Sequence, residues 1–331
     1  MRKTSLGMAA LAVSALLLSG CSASSPADAT DETGADTASS TAFPVSVDTK
    51  FGEVTIEEEP QRIVALGWGD AETALALGVQ PVGASDWLGF GGSGVGPWAE
   101  DLYDEAPEII GTLEPSYEAI AALEPDLILD VKGSGDQERY DRLSEIATTV
   151  GVPEGGDSYL TESADQVAMI STALGLADKG DELNAEVDAA FAAAAEAHPE
   201  FAGKTITVSA FSSKGWGAYI DGVDRVEFMK KLGFVQSPTI AGLTPEGFSV
   251  PISSEQLDLL EADVLITFPI WVETAEVTDQ PLYQAIPAVA EGRSILMDDE
   301  LISNAYSVGS TLAKLYAIEK IVPLLEAAVQ E

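Results

Sequence analysis

The strongest constraint on this chain is an arrangement that occurs twice: short apolar β-type runs alternating with helical stretches, the two series separated by two helices with no strand between them. In the first series Arg62-Ile63-Val64-Ala65-Leu66 reads as a buried strand, followed by Gly67-Trp68-Gly69-Asp70 and a helix from Ala71 to Leu77 that stops at Gly78. Pro81 to Ala84 is the next strand. A helix from Tyr117 to Leu123 feeds strand Asp126 to Asp130, and one from Arg139 to Ala147 feeds Thr148 to Val150. Strands separated by helices predict parallel α/β packing. The two intervening helices run from about Ser163 to Leu174 and from about Asp178 to Ala197. The second is rich in alanine, the best helix former, and spans about 30 Å.

The second series has a strand at Lys204 to Ala210, a helix at Val226 to Leu232 and a helix at Gln256 to Leu260. Strand Asp263 to Thr267, strand Arg293 to Met297 and a closing helix from about Ser310 to Gln330 complete it. The expected fold is therefore α/β, with two Rossmann-like lobes joined by a single long helix and a ligand cleft between them. The expected divisions are 43–160 for the first lobe, 161–203 for the connecting helices and 204–331 for the second lobe.

Ahead of both series, Arg2 and Lys3 precede an apolar stretch from Leu6 to Leu18. It is shorter than the roughly 20 residues needed to span a bilayer and reads as the core of a signal peptide, residues 1–20. Leu18-Ser19-Gly20-Cys21 resembles the bacterial lipobox, in which the cysteine becomes the first mature residue and carries diacylglycerol. Two acyl chains suffice for stable attachment. Residues 21–42, the lipidated cysteine and a Ser/Ala/Thr/Asp/Gly segment, read as a tether. The expected location is the extracytoplasmic face of a bacterial cell membrane. Cys21 is the only cysteine, so the fold has no intramolecular disulfide and must rest on its apolar core.

Charge narrows the partners. Removing Arg2 and Lys3 from the 16 Lys and Arg leaves 14 against 55 Asp and Glu, a mature charge of −41. Nucleic acid is an improbable partner, because its binding relies on Lys and Arg neutralising phosphates. The charge also biases against strongly anionic ligands unless a local basic pocket exists.

Several blocks resemble one family, the iron-siderophore, haem and cobalamin substrate-binding proteins of ABC importers. They are Pro60 to Leu66, Leu77-Gly78-Val79-Gln80-Pro81-Val82-Gly83, Glu114 to Ile128, Ile252 to Leu257 and Leu282 to Gly292. The block Glu114-Pro115-Ser116-Tyr117-Glu118-Ala119-Ile120-Ala121-Ala122-Leu123-Glu124-Pro125-Asp126-Leu127-Ile128 is the most specific. The resemblance covers about residues 43–325. It implies a two-lobe fold with a helical hinge, no enzymatic activity, and delivery of ligand by a monomer to permease subunits with a cytoplasmic ATPase pair.

Glu118 and Glu255 each lie two residues after a serine able to cap a helix, Ser116 and Ser253. An acid in a first turn is stabilised by the helix dipole alone. The resemblance adds a role, docking to arginines of the two permease subunits. Trp68 and Trp271 follow strands, where open α/β sheets bind ligands. Trp87 and Trp98 flank the glycine-rich run Gly89 to Gly96, which lacks the Lys-Ser/Thr end of a phosphate loop. With Trp216, Tyr219, Arg225 and Tyr306 these form the candidate ligand-binding set. Any single tryptophan is more often partly buried core; several at loop positions favour an aromatic-walled pocket.

Basic residues near that set are few. Ferric tricatecholates are strongly anionic, whereas ferric hydroxamates are neutral or cationic and sit well among aromatics. The expected ligand is therefore a ferric siderophore, hydroxamate in preference, with its iron held by the siderophore and no protein cofactor or protein-bound metal. Haem and cobalamin are the alternatives. Haem needs an axial ligand, for which Tyr306 is available, while His198 sits at a helix end. An anchored hydrolase is the enzymatic alternative. It lacks a Gly-x-Ser-x-Gly elbow, and one histidine makes a Ser-His-Asp triad improbable.

Overall fold

The structure, a computed structural model, describes residues 42–156 and 159–330. The readings made of residues 1–41, Cys21 included, lie outside them. A hairpin of β1 (Val45–Thr49) and β2 (Gly52–Ile56) leads into the first lobe. There β3 (Ile63–Ala65), β4 (Gly83–Ser85), β5 (Glu108–Ile110), β6 (Leu127–Leu129) and β7 (Thr148–Val150) form an all-parallel sheet in the order β5-β4-β3-β6-β7. Every residue of the central β3 and β6 is buried, as apolar triads covered on both faces by helices require. The helices are α1 (Asp70–Ala76), α2 (Tyr117–Ala122) and α3 (Gln137–Ser144). Ser116 caps α2 by accepting from Ala119 N at 3.2 Å, and Asp136 caps α3 by accepting from Arg139 N at 2.9 Å. The Arg62 side chain donates to the Leu123 carbonyl at the far end of α2, a structural use of the cation.

Helices α4 (Ser163–Ala173) and α5 (Ala177–Ala197) link the lobes. The 21 residues of α5 make a rod of about 30 Å, and its Val187 and Phe191 pack into the second lobe's core.

The second lobe contains β8 (Thr205–Ser212), β9 (Gly215–Tyr219), α6 (Asp224–Lys231), β10 (Val235–Gln236), α7 (Pro238–Ala241), β11 (Ser249–Ile252) and β12 (Val264–Pro269). Short helices α8 (Thr274–Thr278), α9 (Pro281–Gln284) and α10 (Pro287–Ala290) follow, then β13 (Ser294–Leu296), α11 (Glu300–Val308) and α12 (Thr311–Gln330). Its sheet order is β11-β9-β8-β12-β13, with β10 beside the start of β8. The sheet is mixed, not parallel as expected. Ser212 pairs with Gly215, so a two-residue turn reverses the chain into β9, a strand not expected, before the expected helix at Val226 to Leu232 (α6), and β9 and β11 pair antiparallel. The helix expected at Gln256 to Leu260 is a 3-10 turn over Leu257–Leu260.

Candidate functional site

The carboxyl ends of β3, β4 and β6 carry the first candidate wall of the expected cleft. After β3 the chain turns through Gly67-Trp68-Gly69 into α1. A side chain at position 67 would lie 2.3 Å from the Asp70 carboxylate and 2.8 Å from Lys132 N, so only glycine lets these loops close on each other. The turn is tied down by Trp68 N donating to the Lys132 carbonyl at 3.0 Å, and by Gln166 Nε2 donating to the Trp68 carbonyl at 2.9 Å. Trp68 is left half-buried. Its ring centroid lies 5.3 Å from that of Trp87, which lies 5.0 Å from Tyr159. The Trp87 indole N–H donates to the Leu66 carbonyl at 3.0 Å, fixing the ring. Two of the anticipated tryptophans thus form one aromatic ladder, and Tyr159 extends it.

Beneath this wall, Asp70 accepts from Val131 N at 2.8 Å and Gln166 Nε2 at 2.6 Å. Burial pushes its carboxyl up from 3.8 to about 6 against those bonds, and the nearby Asp130 adds to the rise. Asp130 is itself held by Arg139, whose Nε and Nη2 each donate to it at 2.8 Å.

The second wall centres on Arg225, in the first turn of α6. Its guanidinium lies 4.8 Å from the Tyr219 ring and 5.2 Å from that of Phe268, and Nη2 donates to Ser307 Oγ at 2.7 Å. Its buried Nε has no partner among the described residues. Phe248, half exposed, stacks on Tyr219 at 6.1 Å. Trp271 follows β12 with a left-handed backbone, φ +53°, and its side chain is 99% exposed. Nothing in the fold holds an indole that open, so its burial needs an outside partner.

Two of the anticipated ligand residues occupy other places. Trp216 is buried between Phe211 and Tyr283, its indole N–H donating to Gln280 Oε1 at 3.0 Å. It is core. Tyr306 is 2% exposed and its hydroxyl donates to the Arg225 carbonyl, so it supports the arginine and does not present an oxygen to a haem iron. His198 is at the end of α5, as expected, where it stacks on Phe201 and contacts Glu200. Trp98 lies at the junction of the lobes, with its indole N–H on Glu72 at 2.8 Å and its ring 5.4 Å from Tyr316 of α12.

The run Gly89 to Gly96 forms a loop closed by Asp86, whose carboxylate accepts from Phe90 N at 3.0 Å and Gly91 N at 2.8 Å. With Leu301 and Asn304 of α11 it lines an open pocket of about 360 Å³. Sequence reasoning missed Lys132 and Asp224, which join in an ion pair across the lobes. Burial works to raise the Asp224 carboxyl, but Lys132 and Lys314 hold it below the ordinary range. Burial in turn pushes Lys314 down to about 8.

Glu118 is exposed in the first turn of α2 behind its Ser116 cap. Glu255 is also exposed but begins no α-helix. There Ser253 Oγ accepts from Glu255 N at 3.3 Å, within a turn.

A model of the family described as periplasmic binding protein matches residues 63–301. The chain is 30% identical over 284 residues to the probable siderophore-binding lipoprotein YfiY of Bacillus subtilis (strain 168), covering 80% of this chain and 82% of that protein. Among solved structures it is similar to a periplasmic solute binding protein from Mycobacterium smegmatis, at 29% identity and TM-score 0.74, covering 86% of this chain and 99% of that one. It is also similar to PiaA of Streptococcus pneumoniae TIGR4 in complex with ferrichrome, at 27% identity and TM-score 0.73, with the same coverage.

Proposed function

We propose that this chain, which belongs to the periplasmic binding protein family, captures a ferric siderophore between its lobes and delivers it to an ABC importer. The observation that carries the reading is the pair of aromatic walls. Trp68 and Trp87 line one side, Phe248 and the Arg225 guanidinium line the other with Tyr219 buried behind them as core and not itself presented to a ligand, and Trp271 stands fully exposed. Such surfaces suit a bulky complex whose iron is already wrapped. The likeness to a siderophore-binding lipoprotein and to a ferrichrome-bound structure supports the same class.

A hydroxamate is the favoured ligand. Of the cations near the walls, Lys132 and Lys314 both lie against Asp224, and Lys314, though lowered to about 8, keeps its charge at neutral pH. Arg225 is the cation set beside the aromatic rings, a sparse complement for a multiply charged tricatecholate and enough for a neutral complex with outward carbonyl oxygens. Ferrichrome, an uncharged trihydroxamate, is of this type.

We assign docking on the permease subunits to Glu118 and Glu255, one exposed carboxylate from each lobe. Residues 43–160 and 204–331 are the lobes in this reading, with 161–203 connecting them. Diacylglycerol on Cys21 and the segment 22–41 would tether both to the membrane beside the permease, raising their effective concentration there.

Titration of tryptophan fluorescence with ferrioxamine B, in the parent chain and in Trp68→Phe and Trp87→Phe, tests the placement. Saturable quenching that shrinks in both variants supports the cleft. Quenching unchanged in both would place the ligand elsewhere.

A further inference from the structure

The loop that lines the pocket and the helix that faces it converge on one buried contact between the lobes. Glu72, in α1 of the first lobe, is 2% exposed and has no cationic partner among the described residues. Its carboxylate accepts instead from Gly96 N at 3.2 Å, from Trp98 Nε1 at 2.8 Å and from Ser310 Oγ. Gly96 and Trp98 belong to the glycine-rich loop region of the first lobe. Ser310 belongs to the second, where its oxygen also accepts from Ala313 N at 3.3 Å and so caps α12. The positive end of that helix therefore faces the carboxylate.

The surroundings leave this contact little freedom. Gly309, with φ +66°, ends α11 immediately before Ser310. A side chain there would lie 3.0 Å from the Asp224 carboxylate that pairs with Lys132. Ser310 Cβ lies 3.7 Å from the site of a side chain on Gly69. On the loop side, the Trp98 ring meets Phe90 edge-on at 5.7 Å and Tyr316 of α12 at 5.4 Å. Phe90 is a pocket residue, and α11, the opposite pocket wall, ends at Gly309. Both walls are thus fastened to the same three side chains.

We infer that Glu72, Trp98 and Ser310 form a pivot, separate from the hinge helix α5, that sets the gap between the glycine-rich loop and α11 and thereby the lifetime of the bound ligand. Glu72 and Ser310 are positioning residues, and Trp98 acts through the joint instead of touching ligand. The effect on ligand lifetime rests on the proposed siderophore reading. The effect on the gap does not.

The test places spin labels on Glu138→Cys in α3 and Thr239→Cys in α7, both exposed, in the full chain carrying Cys21→Ser. Without ligand, Ser310→Ala and Trp98→Phe are each expected to lengthen or broaden the interlabel distance by more than ~2 Å. The phenylalanine keeps one aromatic ring against Phe90 and Tyr316 while removing the indole donor and part of the ring volume, so it remains informative if Ser310→Ala folds poorly. With ferrioxamine B as probe, dissociation is expected to quicken about tenfold while association stays within about twofold. Distance distributions that superimpose on the parent's in both variants would overturn the pivot. If the distances shift but no ferric complex binds even the parent chain, the siderophore reading fails and the pivot stands.

Discussion

Lys132, three residues past β6, donates its ammonium to Asp224 at the start of α6, so one charge from each lobe is paired by a contact between residues 92 positions apart. The lysine side chain is 6% exposed and the aspartate 23%. Taking away one partner leaves the other charge in a poorly solvated place, which costs more than the pair itself contributes. Lys132→Met is expected to lower unfolding stability by about 3 kcal/mol, and Lys132→Met with Asp224→Leu by less. Urea unfolding of the single and double variants measures this. A double variant that loses as much as the sum of the singles would show that the two charges do not interact.

Asp70 gives the chain a pH response of opposite sign to an ordinary paired carboxylate. Its carboxyl is the weaker acid in the folded chain, raised by burial from 3.8 to about 6. Protonation therefore favours the folded state. That contribution is complete below 3.8 and is lost as pH rises through about 6. Glu72, also raised by burial, acts in the same direction. Asp224, which is lowered, works the other way but only in more acid solution. Stability is expected to rise by about 1 kcal/mol between about pH 7 and about pH 5 on account of Asp70, and Asp70→Asn should flatten that slope. Thermal melts of both proteins across this range check it.

Trp271 separates binding from folding. Because its side chain is 99% exposed, Trp271→Ala should change stability by no more than about 0.5 kcal/mol. Its affinity for ferrioxamine B is expected to fall about tenfold, as an aromatic contact buried only in the complex is lost. Equal affinity in parent and variant would remove Trp271 from the ligand set.

Glu118 and Glu255 are exposed on separate lobes, and the docking proposed for them would bear on transport alone. Reversing both, Glu118→Lys with Glu255→Lys, is expected to leave ligand affinity unchanged and to abolish importer-dependent uptake of the ferric complex. Uptake at the parent's rate would end the docking assignment.

What the sequence revealed depended on how local each signal is. Ile63 to Ala65, Leu127 to Leu129 and the capping Ser116 lie within their own elements, so strand and helix boundaries came within a few residues. The Ser212 to Gly215 turn was hidden by glycines that read equally well as a loop. Trp216 reads as a cleft residue from sequence because two glycines in the short run Gly215-Trp216-Gly217-Ala218-Tyr219 mask its strand character. Its burial is that of a strand lying on the core. The lobe junction was illegible for another reason. Glu72 and Ser310 are 238 positions apart, and no spacing rule connects a first-turn glutamate with the cap of a distant helix.

The central claim is that the cleft binds a ferric complex of low charge. Calorimetric titration of the chain with ferrioxamine B, ferric citrate and a ferric tricatecholate at one ionic strength tests it most directly. The account predicts a single saturable site for the hydroxamate with a dissociation constant below about 1 μM, and weaker binding of the multiply anionic complexes. Tightest binding to the tricatecholate, or no saturable heat with any of the three, would contradict it.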